Sequence, residues 1–271
     1  VDTARGASNN IFSNTTGNQT ANSDISAFGA TGYSFAGAPG GYQNNAGNSY
    51  VSWTFRKQPK FFDVVTWTGD GNASKTISHS LGSVPGCIIT KSSSGVNNWQ
   101  TYHRSLGNTQ AVQLNLTNAA STNSGFWNNT SPTSTEFTVG TVENASGETY
   151  VAYCFAPVAG YSAFGSYTGN GSTDGPFIYT GFRPKWILIK PSSLVDSWQV
   201  EDAARSPFNT VNDQLFPNTS NAEQVDSATR NTDFLSNGFK IRGTNGGINQ
   251  SSATYVYACF AENPFKYSLA R

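Results

Sequence analysis

A hexapeptide that recurs three times constrains the fold of this chain more than any other feature. The copies are Tyr50–Phe55 (YVSWTF), Tyr150–Phe155 (YVAYCF) and Tyr255–Phe260 (YVYACF), which start 100 and 105 residues apart. Nearly every position is aromatic, β-branched or otherwise apolar, which is typical of a strand buried on both faces rather than of an alternating surface strand. Because a period of about 100 residues is the size of a domain, we interpret the chain as tandem copies of one β unit.

The segments between these copies recur in the same order. A glycine turn, Gly69–Gly71 or Gly169–Gly171, supplies positive φ for a tight connection between antiparallel strands. A proline then precedes a strongly apolar segment, Pro85–Lys91 or Pro184–Lys190, and proline suits a strand start because no ladder donor is needed there. The pattern predicts short strands separated by Gly, Asn and Ser turns, with no helix of convincing length.

These recurring segments set the expected domain boundaries. Residues 62–162 and 163–271 each contain a full unit. Residues 1–61 match the back part of a unit, since Val1–Arg5 resembles Glu201–Arg205, so we predict that the front of this first unit is missing. The expected fold class is all-β, with tandem β-sandwich units of the jelly-roll or lectin-like kind related by a repeat of about 100 residues.

The overall composition argues against several classes of protein. The formal net charge is zero and charged residues make up only 12% of the chain, so no nucleic-acid partner and no anionic membrane surface is expected. Apolar runs all fall well short of the ~18 residues of a membrane span, so no membrane insertion is expected. Aromatic residues reach 13% among abundant Gly, Asn, Ser and Thr, which favours a folded β protein with many loops over a disordered chain.

The three cysteines argue against a disulfide framework. Cys154 and Cys259 occupy the same position in two hexapeptide copies, and Thr54 takes that position in the other. Because equivalent core positions of separate units are not expected to meet, we predict free, buried thiols. Such thiols favour synthesis in a reducing compartment, for example a bacterial cytoplasm.

No residue pattern predicts catalysis or a metal site, so we expect no enzyme, no cofactor and no metal. His79 and His103 lack a second histidine, a cysteine or a carboxylate at metal-ligand spacing. Asp70 and Asp174 stand beside glycines, and turn chemistry is favoured over a calcium loop. Paired carboxylates perform glycoside hydrolysis, but turn, capping or surface roles are favoured for the candidates here. These candidates are Asp196, Glu201, Asp202, Glu223 and Asp226.

Aromatic residues beside polar turns, which we expect to be exposed, are the best candidates for binding a ligand. They are Trp99, Tyr102, Trp127 and Trp198. Aromatic rings stack on sugar faces, and neighbouring Asn and Gln amides bind hydroxyl groups. Because Trp99 and Trp198 recur at matching positions, a core role is favoured for those two. Trp127 has no obvious counterpart in the third unit and is less constrained.

Seven segments taken together carry a resemblance to a known family. They are Trp67–Gly71, Ile77–Pro85, Asn98–Arg104, Tyr150–Ala156, Gly160–Ser162, Leu235–Lys240 and Asn263–Arg271. In combination they resemble a domain of tail-fibre and receptor-binding proteins of tailed bacteriophages. The resemblance implies a non-enzymatic protein on the outside of the virion, assembled as a homotrimer with other virion proteins. It also implies contact with host surface polysaccharide.

Two other functions stay open at this point. One is a purely structural virion component, such as a head fibre, a decoration protein or a tail-assembly protein, whose strand edges pair with neighbouring subunits. The other is a polysaccharide depolymerase, which would use carboxylates of the third unit such as Asp202 and Glu223. The position of the chain on the virion distinguishes the first from an adhesin, and release of reducing ends from capsule identifies the second.

Overall fold

The regular structure of the chain is almost entirely antiparallel β-sheet, which confirms the predicted fold class. The computed structural model describes residues 1–21, 24–36 and 43–262. Within these ranges the two α-helices have four residues each, as expected from the absence of a helical pattern. Among the described residues no helix is long and apolar enough to cross a membrane.

The first part of the chain, residues 1–61, contains one described sheet. It is a hairpin of β1 (Ile25–Phe28) and β2 (Tyr33–Phe35), which pair antiparallel. The other described residues of this part form turns, isolated bridges and extended backbone.

The second part holds eight strands in two sheets. The strands are β3 (Phe62–Thr68), β4 (Ser74–Ser78), β5 (Cys87–Ser92), β6 (Gln100–His103), β7 (Gln110–Gln113), β8 (Ser121–Thr122), β9 (Glu136–Gly140) and β10 (Thr149–Phe155). Helix α1 spans Ser124–Trp127, and a 3-10 turn spans Thr141–Glu143. One sheet has the order β3-β10-β5-β6-β7-β8, and β4 pairs with β9 in the other.

The third part holds seven strands, also in two sheets. The strands are β11 (Ser162–Thr168), β12 (Phe177–Tyr179), β13 (Trp186–Pro191), β14 (Gln199–Asp202), β15 (Thr232–Leu235), β16 (Gly238–Ile241) and β17 (Thr254–Phe260), with helix α2 at Gly246–Asn249. The sheets have the orders β11-β17-β13-β14 and β12-β16-β15. The order β11-β17-β13-β14 matches β3-β10-β5-β6, so in both parts the last strand lies between the first and the third.

The hexapeptide copies at Tyr150–Phe155 and Tyr255–Phe260 form the central strands β10 and β17, as predicted. Each is hydrogen bonded on both sides and buried over nearly its whole length. Their first tyrosines stack in parallel on an aromatic residue of the neighbouring strand. The Tyr150 and Trp67 ring centroids are 5.2 Å apart, and those of Tyr255 and Tyr167 are 4.8 Å apart.

The copy at Tyr50–Phe55 forms no strand, so the prediction is wrong there. Tyr50 and Trp53 are 50% and 38% exposed. Strands β10 and β17 each pair with two strands that precede them in the chain, whereas β1 and β2, the strands described before Tyr50, pair only with each other. A β-strand needs ladder partners for its backbone groups, so an apolar sequence alone does not make one.

The three copies nevertheless meet at their last residues. The rings of Phe55, Phe155 and Phe260 form a triangle with centroid separations of 5.0, 5.0 and 5.6 Å, and we call them the aromatic triad. Equivalent positions of the predicted units therefore do come together, contrary to the expectation used for the cysteines. The conclusion drawn from that expectation is confirmed, since all three cysteines are free and buried.

The hydrophobic core has three clusters. One lies between the two sheets of the second part and another between the two sheets of the third part, as in a β-sandwich. A third cluster contains the aromatic triad and joins all three parts of the chain. Strands β3 and β11 begin at Phe62 and Ser162, close to the predicted unit boundaries. The division into separate domains stays a prediction.

Candidate functional site

The four aromatic residues predicted to bind a ligand are buried, so the expectation that they are exposed is wrong. Trp99, Tyr102, Trp127 and Trp198 are 5%, 6%, 1% and 3% exposed. Trp127 lies in the core beside Tyr102, with ring centroids 5.8 Å apart. A tryptophan beside a polar turn can be buried completely when its indole N–H finds a carbonyl acceptor inside the protein, and all three tryptophans do so.

The two recurring tryptophans join neighbouring parts of the chain. Trp99 Nε1 donates to the carbonyl oxygen of Phe12 at 3.0 Å, which links the second part to the first. Trp198 Nε1 donates to the carbonyl oxygen of Gln113 at 2.8 Å, which links the third part to the second. The core role favoured for both residues is confirmed.

Exposed aromatic rings occur instead on strand β12. Phe177 and Tyr179 are 45% and 69% exposed, whereas Ile178 between them is 7% exposed. Because side chains alternate along a strand, the two rings project from one outer face while Ile178 enters the core. The sequence contained a signal for this site. Residues 177–179 read Phe-Ile-Tyr, but the aligned residues 76–78 read Thr-Ile-Ser.

Strand β16 lies beside these rings, and its Gly238 is buried next to the ring of Phe177. In the antiparallel register Gly238 lies opposite Tyr179, and Lys240 lies opposite Phe177. A Cβ at Gly238 would lie 3.0 Å from Cζ of Phe177 and closer still to the Ile178 carbonyl oxygen, so glycine is required here. We call Phe177, Tyr179, Gly238 and Lys240 the aromatic platform.

Ion pairs border the aromatic platform. Lys240 Nζ lies 2.8 Å from Asp174 Oδ1, and Arg242 Nε donates to Asp233 Oδ2 at 2.6 Å. The hydrogen bond from Lys240 lowers the pKa of Asp174, so this carboxylate is ionised at neutral pH. Two cationic and two anionic side chains thus supply hydrogen-bond donors and acceptors without a large local charge.

A shallow groove flanks the opposite edge of the same sheet. It has a volume of about 310 Å³ and is lined by residues 205–210, 212 and 213, including Phe208, which is 81% exposed. Asn209 holds the groove against β15, since its Nδ2 donates to the Phe234 carbonyl at 3.1 Å and its Oδ1 accepts from the Phe234 N–H at 2.9 Å. The sheet therefore carries exposed aromatic side chains at both of its edges.

Comparison with known families finds a match over nearly the whole chain. The profile of a family described as Domain of unknown function (DUF7483) matches residues 1–264. The chain belongs to the DUF7483 family. No curated protein and no solved structure matches it.

The carboxylates considered for glycoside hydrolysis in this DUF7483 chain are all engaged in hydrogen bonds or ion pairs. Glu201 and Asp202 are buried, and burial raises the pKa of Glu201 to about 8. Asp202 caps the backbone N–H groups of Ala204 and Arg205, as favoured from the sequence. Asp202 and Glu223 both pair with Arg205, at 2.6 Å each, whereas Asp196 pairs with Arg230 and Asp226 accepts from Asn212.

The two histidines of the DUF7483 chain are buried. His103 Nδ1 accepts from the Ser105 N–H at 3.2 Å, and its Nε2 lies 3.0 Å from the carbonyl oxygen of Tyr257. This pair of contacts suits a neutral ring with the proton on Nε2, and burial lowers the pKa of His103 to about 4. Across the described part of the chain, no three His, Cys, Asp or Glu side chains group as metal ligands.

Proposed function

We propose that this DUF7483 protein is a bacteriophage virion appendage protein, part of a tail fibre or receptor-binding region, that contacts host surface glycans through the aromatic platform. The observation that carries this proposal is the pair of exposed rings, Phe177 and Tyr179, on one face of a strand beside the unsubstituted backbone of Gly238. Aromatic faces pack against the apolar faces of sugar rings, and polar neighbours bind their hydroxyl groups.

The electrostatics of the platform favour an uncharged polar ligand. Lys240 and Arg242 are each paired with an aspartate, so a strongly anionic ligand would have to compete with existing ion pairs. The platform also lies on a sheet whose inner face packs in the core, with Ile178 and Phe239 buried. A surface fixed in this way loses little conformational entropy when a ligand binds.

The virion setting rests on the resemblance to phage tail-fibre and receptor-binding domains. It implies a protein that is made in the bacterial host, displayed on the outside of the particle and assembled as a homotrimer with other virion proteins. In this role the protein binds polysaccharide without cleaving it. Purified protein is therefore expected to bind susceptible cells while releasing no reducing ends from their capsule.

Removing the platform rings is expected to weaken glycan binding without unfolding the protein. Tyr179→Ala should reduce affinity about fivefold, and Phe177→Ala with Tyr179→Ala about 30-fold, because each ring contributes about 1 kcal/mol of stacking. Binding is measured on a glycan array and on susceptible cells. Both side chains are substantially exposed, so circular dichroism and the unfolding midpoint should change little.

The aligned positions of the second part provide a matched control. Thr76 and Ser78 lie on strand β4 at the places that correspond to Phe177 and Tyr179, and both are exposed. Thr76→Ala with Ser78→Ala should leave binding unchanged. Glycan binding that survives in the double aromatic variant would refute the platform as the contact surface.

A purely structural virion component is the second candidate function. It is favoured by the exposed Tyr50 and Trp53, which lie on a segment that pairs with no strand among the described residues. Such a segment suits contact with a neighbouring subunit. Electron microscopy of labelled virions separates the candidates, since a distal tip location supports receptor binding and a capsid or tail-tube location supports the structural role.

A further inference from the structure

The aromatic platform occupies one side of the outer face of the sheet β12-β16-β15. Ile178, Phe239 and Phe234 stand opposite one another on the three strands, and all three enter the same core cluster. Because side chains alternate along a strand, the residues on either side of these three point outward. Asp233 and Leu235 of β15 therefore lie on the same outer face as the platform.

This face continues beyond β15 into the groove. Val211 and Thr232 exchange two backbone hydrogen bonds, of 2.8 and 3.0 Å, so residues 209–211 run beside β15 like a further strand. Val211 is 1% exposed and enters the core cluster of this sheet. Thr210 and Asn212 on either side of it therefore point outward, and both line the groove. The groove and the aromatic platform thus open on the same face.

Exposed aromatic rings stand at the two ends of this face. Tyr179 on β12 is 69% exposed, and Phe208 in the groove is 81% exposed. Three inter-strand spacings separate β12 from residues 209–211, which amounts to about 14 Å at about 4.8 Å per spacing. A single sugar ring is much shorter than this distance. Only a chain of several sugars therefore touches both aromatic residues.

Paired charges lie between these two ends and beside the groove. The ion pairs Lys240–Asp174 and Arg242–Asp233 lie in the middle, and their two cationic side chains are 22% and 40% exposed. At the groove, Arg205 pairs with both Asp202 and Glu223, at 2.6 Å each. An acidic sugar would have to compete with these carboxylates for the cations. The hydroxyl groups of a neutral sugar can instead accept from the cations and donate to the carboxylates.

We propose that this face binds a continuous stretch of several sugars of a neutral polysaccharide, which runs across the strands from the aromatic platform to Phe208. The glycan contact of the proposed function, on which this rests, then becomes an extended site with two aromatic ends and a polar centre. One end of the sugar chain packs on Phe177 and Tyr179, its central hydroxyl groups exchange hydrogen bonds with the two ion pairs, and its other end packs on Phe208. Because these contacts all form with one ligand molecule, affinity rises with chain length until the face is covered.

The dependence of binding on chain length tests this extended site. The probe is the neutral polysaccharide that gives the strongest signal with the wild-type protein on the glycan array, cut by mild acid and separated into disaccharides and hexasaccharides. In isothermal titration calorimetry the wild-type protein should bind the hexasaccharide at least about tenfold more tightly than the disaccharide. Phe208→Ala should weaken binding of the hexasaccharide about fivefold and leave the disaccharide unchanged, whereas Tyr179→Ala should weaken binding of both about fivefold.

Val195→Ala is the matched control, since Val195 is 70% exposed on the loop between β13 and β14 of the other sheet, and it should change binding of neither length. Equal affinity for the two lengths, an equal effect of Phe208→Ala on both, or a strongest array signal from an acidic glycan would overturn the extended site. In the first two cases a loss with Tyr179→Ala at both lengths would still support the aromatic platform. Unchanged binding of both lengths by Phe177→Ala with Tyr179→Ala would instead refute the platform and the extended site together.

Discussion

Phe155→Ala is expected to lower the free energy of unfolding by about 3–5 kcal/mol, the usual effect of removing a buried phenylalanine from a packed core. Phe155 is 8% exposed, and its ring lies 4.6 Å from that of Phe62 and 5.0 and 5.6 Å from its triad partners. The cavity would form where all three parts of the chain meet. A shift of one sheet alone would therefore not fill it. Urea denaturation followed by fluorescence and circular dichroism measures the loss.

A double-mutant cycle tests whether the triad acts as a unit. Phe155→Ala and Phe260→Ala should couple by about 1 kcal/mol, because neighbouring aromatic rings interact beyond their burial. Phe208→Ala is the control, since Phe208 is 81% exposed and its removal should change stability by less than about 0.5 kcal/mol. A loss below about 1 kcal/mol for Phe155→Ala would show that the three parts do not depend on this junction.

Raising the pH from 6.5 to 8 is expected to destabilise the protein. Glu143 and Glu201 are completely buried, and burial raises the pKa of each carboxyl from 4.5 to about 8. The folded protein thus keeps protons that the unfolded chain releases near pH 4.5. The stability from these protonated forms is fully present below pH 4.5 and is lost progressively as the pH rises through 8.

Two buried lysines reverse this trend at higher pH. Burial lowers the pKa of Lys91 and of Lys190 from 10.5 to about 8, so the folded state favours their neutral form. Stability should therefore rise again between about pH 8 and 9, and fall above pH 9, where the unfolded chain releases the protons that the three buried thiols keep because burial raises the pKa of each. His103 has the opposite effect on stability below pH 6.5. Its pKa is about 4 in the folded protein and 6.5 in the unfolded chain, so lowering the pH from 6.5 to 4 destabilises the fold.

Glutamine variants identify the groups responsible. Glu143→Gln and Glu201→Gln should each flatten the fall in thermal midpoint between pH 6.5 and 8, because glutamine does not titrate. Glu136→Gln changes an exposed carboxyl on β9 and should leave the profile unchanged. A wild-type midpoint that is constant or rises across this interval would contradict the assignment.

The local pattern of the sequence predicted which elements form, but not which elements find partners. Strands β5, β10, β13 and β17 lie where apolar segments bounded by proline, glycine or serine predicted them. Tyr50–Phe55 has the same composition and forms no strand, since pairing depends on segments far away in the chain. The meeting of Phe55, Phe155 and Phe260 likewise depends on how the sheets pack, which no single segment encodes.

The candidate site was missed for a related reason. Trp99 and Trp198 stand beside polar turns, but their indole N–H groups are satisfied by carbonyls of another part of the chain, which allows burial. Phe177 and Tyr179 differ from Thr76 and Ser78 in the sequence, but their exposure follows only from the inward direction of Ile178. Knowing which face of a strand is outward requires the opposing sheet.

The free cysteines can show which part of the protein unfolds first. Cys154, Cys259 and Cys87 each belong to a different core cluster, and burial raises the pKa of every one of these thiols. The thiolate is the form that reacts with alkylating reagents, so no cysteine should be modified while its core cluster stays folded. The order in which the three sites acquire label during mild heating therefore gives the order in which the two sandwiches and their common junction come apart.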